Sequence, residues 1–176
     1  DKMTVEISGL NYVDKIYDGK AIEPTGTLQV SDDMVPVNEL EVRYAGTGNT
    51  NYDSTEAPKD AGTYKVTYKV ADDNGYYTGQ KEYTFTISPK TVTTDMIGTI
   101  DAQEYNGSEI KPEPGVKDGE ELTHGRDFEF GYQNNIDAGE NTATLTITGK
   151  GNYTGTASRE FTITPKDIKG AVIELE

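Results

Sequence analysis

Apolar and polar residues alternate along several short stretches of this chain. In 64–70 the even positions are tyrosine or valine, and the odd positions are lysine or threonine. The stretch 141–148 puts four threonines on one side, and 83–87, 40–44 and 128–132 alternate in the same way. A period of two with one polar face indicates an antiparallel sheet that is buried on one side. We therefore predict an all-β fold.

Turn residues separate these stretches. Asp73-Asn74-Gly75 predicts a hairpin turn, because such pairs adopt the backbone angles of tight hairpins. No stretch of a dozen residues repeats every 3.6 positions, and the best helical candidate, 120–123, would form one turn at most. Short strands without helices predict an antiparallel β-sandwich of about six or seven strands per module.

Four motifs occur twice, in the same order. They begin at Tyr17, Asp60, Gly75 and Phe85, and again at Tyr105, Asp137, Gly151 and Phe161. The first motif recurs after 88 residues and the last after 76, so the second copy is 12 residues shorter. Eleven of these residues fall between Tyr44 and Asp60, in a loop rich in glycine and asparagine. Matched motifs in one order indicate two copies of one module.

Proline marks the end of each copy. Pro89 and Pro165 follow the last alternating stretch of each copy, and proline cannot extend a strand ladder. We predict one module over 1–89 and a second over 90–166. The segment 167–176 is then a linker or the first strand of a following repeat, and pairing onto the second module is the alternative.

The composition of the chain argues against several classes of partner and of activity. The net charge of −15 argues against nucleic acid and anionic membranes as partners, and no apolar run reaches the length of a membrane span. The chain has no cysteine and a single histidine, His124, so no nucleophilic triad can recur in both copies. We expect no enzyme, no cofactor and no metal site. The loop 72–75 has oxygen ligands for calcium but lacks their usual spacing, so a plain turn is the preferred interpretation.

A Tyr-Asx-Gly motif recurs in both copies and allows two interpretations. The tyrosine could stack on a sugar, or it could be a half-buried corner residue beside a turn. Its presence in both copies favours the structural role, and a tyrosine near each later turn is interpreted in the same way. The residues assigned to these structural motifs are Tyr17, Asp18, Gly19, Tyr77, Tyr105, Asn106, Gly107 and Tyr153.

Features found in one copy alone are the candidates for specific contacts. The loop 45–59 has no counterpart in the second copy, and its polar and aromatic residues suit contact with carbohydrate or protein. A tolerated exposed insertion is the alternative. The candidate ligand-binding residues are Asn49, Asn51, Tyr52, Asp53 and Tyr76. An isopeptide bond between lysine and asparagine or aspartate is a further hypothesis, although no spacing singles out a triad.

The second copy resembles a known family. Its stretches 119–128, 132–139, 144–155 and 161–163 closely resemble the MBG or YDG-type repeats of Gram-positive bacterial surface proteins and adhesins. The first copy resembles them less fully, because of its long loop. The resemblance implies tandem Ig-like modules on the cell surface or in the cell wall, with no catalytic residues.

The resemblance and the repeat together predict a function. We expect a non-catalytic extracellular fragment that acts as a stalk or spacer and in adhesion, as a monomer whose neighbours are further repeats of the same chain. The alternatives are a glycan- or mucin-binding module, an extracellular protein as ligand, and an accessory domain of a surface enzyme.

Overall fold

The computed structural model describes residues 1–167 and Lys169. These residues form an all-β structure with two single 3-10 turns, Val37–Glu39 and Thr94–Met96, and no α-helix. No helix in this part of the chain has the length and hydropathy of a membrane span. The chain divides into two compact units, Asp1–Lys90 and Thr91–Glu176. The prediction for 167–176 lies outside the described residues, apart from Asp167 and Lys169.

The first unit contains nine strands, several of them only two residues long. They are β1 (Met3–Thr4), β2 (Ile7–Asn11), β3 (Lys15–Ile16), β4 (Thr25–Val30), β5 (Glu41–Gly46), β6 (Asp53–Ser54), β7 (Gly62–Lys69), β8 (Tyr77–Thr78) and β9 (Gln80–Ser88).

A five-stranded sheet with the order β3-β9-β7-β5-β6 forms the larger layer of the first unit. Its long ladders, β5 with β7 and β7 with β9, are antiparallel. The strand β3 joins the edge parallel to β9, with Lys15 opposite Ile87. A separate antiparallel pair, β2 with β4, forms the second layer, and β1 pairs with β8.

The core of the first unit lies between these layers. The β2–β4 pair contributes Ile7, and the sheet contributes Val66 and Ile87, both fully buried. Along β7 the inward positions are the even-numbered ones that the alternation predicts, so the lysines and threonines of this strand lie on the outer face. The layers and the shared core are consistent with a β-sandwich.

The described residues of the second unit form eight strands, the first of which begins at Lys90, on the boundary between the units. They are β10 (Lys90–Thr91), β11 (Gln103–Glu104), β12 (Lys117–Asp118), β13 (Glu120–Glu121), β14 (Phe128–Gln133), β15 (Gly139–Gly149), β16 (Tyr153–Thr154) and β17 (Thr156–Thr164).

Its main sheet has the order β11-β17-β15-β14, again with long antiparallel ladders and one short parallel edge strand. The second layer has less strand pairing than that of the first unit. A single antiparallel bridge between Ile97 and Val116 takes the place of the β2–β4 ladder. The core side chains of the sheet are Leu145, Ile147, Phe161 and Ile163, all buried.

Two sequence predictions were wrong. The segment 120–123 forms no helical turn, because Glu120–Glu121 folds back and pairs with Lys117–Asp118 around Gly119, whose φ is 74°. The strands are not all antiparallel either. A short edge strand is parallel to its neighbour in each main sheet, β3 to β9 in the first unit and β11 to β17 in the second. Alternation along one strand reports burial, and it carries no information on the direction of a neighbouring strand.

Between the Asp-Ala-Gly motif and the final Phe motif, the second copy is one residue shorter than the first. Two changes of opposite sign add up to this difference. Ten residues, 70–79, connect the paired ends of β7 and β9, whereas seven, 149–155, connect those of β15 and β17. The strand β15 compensates with a bulge between Gly139 and Ala143 that adds two residues. Asn141 lies in this bulge at φ 53°, a conformation that asparagine adopts more readily than most residues.

Candidate functional site

The Tyr-Asx-Gly motif forms the same turn in both units. The side-chain Oδ1 of Asp18 accepts the backbone N–H of Lys20 at 2.9 Å, and that of Asn106 accepts the N–H of Ser108 at 2.8 Å. The following glycines have φ of 75° and 80°, which favours glycine. Tyr17 and Tyr105 are half-buried beside these glycines. The motif is therefore built into each unit as a turn.

Lys15 stabilises this turn in the first unit and was missed in the sequence. Its ammonium donates to Asp18 Oδ1 at 2.7 Å and to the Lys20 carbonyl at 2.8 Å. These bonds hold the pKa of Asp18 below its usual range, with the Lys15 hydrogen bond as the largest cause. The second copy has Gln103 at this position. A lysine three residues before an aspartate was the signal available.

The two later turn tyrosines differ in burial. Tyr153 is buried, and Tyr77 is half-buried beside the Asn74 turn, whose Oδ1 accepts the Tyr77 N–H at 2.8 Å. Burial raises the pKa of Tyr77. The neighbouring Tyr76 is 77% exposed.

The loop 45–59 is an ordered part of the first unit. Its strand β6 extends the sheet, with Tyr44 opposite Ser54 and Ala45 opposite Asp53. Arg43 donates two hydrogen bonds to Asp53, at 2.6 and 2.7 Å. Gly46 has no room for a side chain, because an added Cβ would lie 2.0 Å from the Thr50 carbonyl oxygen. The insertion thus covers an edge that no described strand covers in the second unit.

Tyr52 anchors this insertion. Its ring packs edge-on against Tyr64, with centroids 5.6 Å apart, and its hydroxyl donates to the Glu56 carbonyl at 2.9 Å. The side chain is half-buried against the core cluster. The ring and the hydroxyl of Tyr52 therefore both make contacts within the protein.

The other candidate ligand residues are not brought together. Asn49 and Asn51 are exposed at the end of the sheet where β7 begins, and Tyr76 lies beyond the end of β7. An eight-residue strand spans about 25 Å, so these residues cannot share a small ligand. A ligand-binding role for Asn49, Asn51, Tyr52, Asp53 and Tyr76 stays a prediction.

We expect Tyr52→Ala to destabilise the first unit by about 1–3 kcal/mol, because it removes the Tyr64 contact and the bond to Glu56. Urea unfolding of this variant and of Asn51→Ala measures the difference. Asn51 is exposed in the same loop, and we expect its variant to unfold like the parent. Equal midpoints for all three proteins would show that Tyr52 does not anchor the insertion.

Three tyrosine hydroxyls meet in the core of the first unit, a feature that sequence reasoning missed. The Tyr12 hydroxyl lies 3.1 Å from that of Tyr44 and 2.8 Å from that of Tyr68, and all three side chains are buried. Burial raises the pKa of Tyr12 far above its ordinary value, and the hydrogen bonds to Tyr44 and Tyr68 raise it further. Burial also raises the pKa of Tyr68 and Tyr64.

These shifts predict that the first unit loses stability in alkali. An unfolded tyrosine releases its proton near pH 10, whereas the folded state keeps it, so stability present below about pH 10 falls as the pH rises above it. Each such tyrosine costs about 1.4 kcal/mol per pH unit. Calorimetry between pH 8 and 11 is expected to show the first unit's transition falling faster than the second's. A second unit that melts earlier in alkali would contradict this.

A charged group surrounds Glu129 on the second unit. Its carboxylate contacts His124 Nε2 at 2.9 Å and Lys150 Nζ at 2.7 Å, and both bonds lower the pKa of Glu129, Lys150 most. The His124 ring packs on Phe130, with centroids 5.1 Å apart. His124 and Lys150 are exposed, and Glu129 is half-buried between them. Among the described residues no group of histidine and carboxylate side chains has the arrangement of a metal site.

No lysine is buried among the described residues. Asp72, the first residue of the suspected calcium loop, forms an ion pair with Lys69 at 2.7 Å. This bond lowers the pKa of Asp72. Neither the isopeptide hypothesis nor the calcium interpretation gains support from the structure.

Comparison with known proteins identifies the family. A family model described as the MBG domain matches residues 3–91, just over half of the chain. The match falls on the first copy, whereas the residues that carry the resemblance in the sequence lie mostly in the second. No curated protein and no solved structure matches the chain. By this match the chain belongs to the MBG domain family.

Proposed function

We propose that the chain consists of two tandem Ig-like modules from the surface of a Gram-positive bacterium, where they act as a non-catalytic stalk that serves adhesion. The chain is a monomer in this proposal, and its neighbours are further repeats. An MBG domain suggests an extracellular repeat, which supports the location.

Contacts that recur at matching positions support the tandem arrangement. In each unit the motif tyrosine donates its backbone N–H to the last strand, and an isoleucine five residues later donates to the segment before the Asp-Ala-Gly motif. These bonds are Tyr17 to Ser88 and Ile22 to Pro58 in the first unit, and Tyr105 to Thr164 and Ile110 to Asn135 in the second. Their lengths all lie between 2.8 and 2.9 Å.

The parallel pairing at the sheet edge is the observation that carries the stalk proposal. The strand β3 lies near the start of the unit and β9 near its end, and the two strands are parallel. Force applied to the two ends of the unit therefore pulls the strands in opposite directions along their length. The hydrogen bonds between them, together with Tyr17 to Ser88, then bear the load side by side instead of opening one after another. The second unit has the same arrangement in β11, β17 and Tyr105. A spacer under tension needs such a connection.

Single-molecule pulling from both termini tests this function. Opening the first unit releases the chain between Lys15 and Ser88, and opening the second releases that between Gln103 and Thr164. At about 3.5 Å per residue, the two extension steps should be roughly 250 and 210 Å before the folded width is subtracted. We expect two separate steps.

Substitution at the edge gives the matched control. Tyr17→Pro removes the N–H that bonds Ser88, so the first step should occur at lower force and the second at unchanged force. Extension without two force-bearing steps would contradict the stalk function.

A further inference from the structure

Among the described residues, no strand pairs with the outer edge of β14 in the second unit. The Lys150 N–H donates to the Asp127 carbonyl, which fixes the phase of the antiparallel ladder between β14 and β15. Odd-numbered residues of β14 therefore direct their backbone groups to β15, and Phe130 and Tyr132 direct theirs outward. In the described part of the chain, no backbone or side-chain group bonds these outward groups. Four residues, 130–133, are thus free to pair.

The first unit shows the same edge in an occupied form. Tyr44 is the counterpart of Tyr132 in the repeat, and its strand is covered by β6, with Tyr44 opposite Ser54 and the Gly46 N–H bonded to the Tyr52 carbonyl at 2.8 Å. Tyr44 is buried there, whereas Tyr132 is only half-buried. The fold accepts an antiparallel strand at this position, and the second copy lacks the residues that would supply one.

Side chains beside the open edge define what would bind. On the inner face Phe130 and Tyr132 form a half-exposed aromatic pair, with centroids 6.2 Å apart. Aromatic residues pair well with β-branched residues on a neighbouring strand. On the outer face lie Gln133, which suits threonine or lysine, and Glu129, whose carboxylate already contacts Lys150 and His124. The edge carries one acidic residue and no lysine or proline, the residues that commonly block strand pairing.

We propose that β14 binds an extended cationic peptide of another protein as an added antiparallel strand, with valine-like side chains against Phe130 and Tyr132 and basic side chains on the outer face, because the net charge of −15 attracts a cationic partner. A second copy of this chain is a poor occupant, because each copy has a net charge of −15 and the copies repel each other.

A synthetic peptide, Thr-Val-Lys-Val-Lys-Val-Thr, is the probe, and the full chain is the receptor. Amide NMR and hydrogen exchange locate its binding. The peptide is expected to slow exchange of the Phe130 and Tyr132 amides at least tenfold and to leave the covered edge at Tyr44 unchanged.

Two variants at Tyr132 separate the backbone from the side chain. Tyr132→Ala keeps the outward N–H, and Tyr132→Pro removes it without touching the ladder to β15. Peptide affinity should be at least tenfold lower for Tyr132→Pro than for Tyr132→Ala. Similar melting temperatures for the two variants confirm that folding does not cause the difference.

The charge preference has its own control. Glu129→Gln is expected to weaken the lysine peptide about threefold and to leave a peptide with threonine at the lysine positions unaffected. Glu160→Gln, exposed on β17, should change neither. Three results would overturn the proposal: no binding at millimolar peptide, equal affinity of the two Tyr132 variants, or self-association of the chain through β14 in sedimentation.

Discussion

Phe85→Ala is expected to lower the melting temperature of the first unit by roughly 15–30 °C and to leave the transition of the second unit in place. Phe85 is 3% exposed and stacks on Tyr12 and on Tyr64, with centroids 5.1 and 5.5 Å away. Truncating a phenylalanine in such a core costs about 3–5 kcal/mol, a large part of the stability of a domain of this size.

Calorimetry with amide NMR measures which unit melts. Phe161 is buried at the matching position of the second unit, so Phe161→Ala should have the reciprocal effect. Thr84→Ala, exposed on the same strand as Phe85, should leave both transitions unchanged. Loss of both units' signals at one temperature in either core variant would contradict independent folding.

Tyr12→Phe is expected to destabilise the first unit by about 2–4 kcal/mol, although it removes a single oxygen atom. The Tyr12 hydroxyl bonds those of Tyr44 and Tyr68 inside the core. A buried hydroxyl that loses its partner costs about 1–3 kcal/mol, and here two hydroxyls are affected.

Urea unfolding of the first unit checks this value. Tyr83→Phe is the matched control, because Tyr83 packs on Tyr12 with centroids 5.6 Å apart but lies at the edge of the cluster, half-buried. Removal of the Tyr83 hydroxyl should change the free energy of unfolding by less than about 0.5 kcal/mol. If the two variants unfold alike, the hydroxyl cluster does not stabilise the core.

The main strands could be predicted because one face of each is buried and the other is exposed to solvent. The stretch 64–70 illustrates this, since its tyrosines and valines point inward and its lysines and threonines outward. The turns could be predicted where a residue type is required by the backbone, as at Gly19 and Gly107. Both signals are local, and each can be read within a few residues.

Long-range contacts could not be predicted in this way. Tyr12 meets Tyr68 across 56 positions of sequence, and no local pattern marks either hydroxyl as a partner. The parallel direction of β3 and the bulge at Asn141 depend on neighbouring strands for the same reason.

The residue types of a loop do not determine whether the loop binds a ligand, as the candidate site illustrates. Asn49 to Asp53 have the residue types of a binding loop, and the prediction rested on that. In the structure Tyr52 and Asp53 contact Tyr64 and Arg43, and through these contacts the loop covers a sheet edge, while a ligand-binding role stays a prediction. The polar residues of an insertion can serve the fold or a ligand, and only their contacts distinguish the two.

Separate expression of 1–90 and 91–176 tests the central claim, that each copy is a complete module. Each has about the size at which a single core can fold alone. We predict that the amide spectra of the two fragments superimpose on that of the full chain, apart from residues next to the cut. A fragment that is unfolded by itself and folds only when the other is added would contradict it.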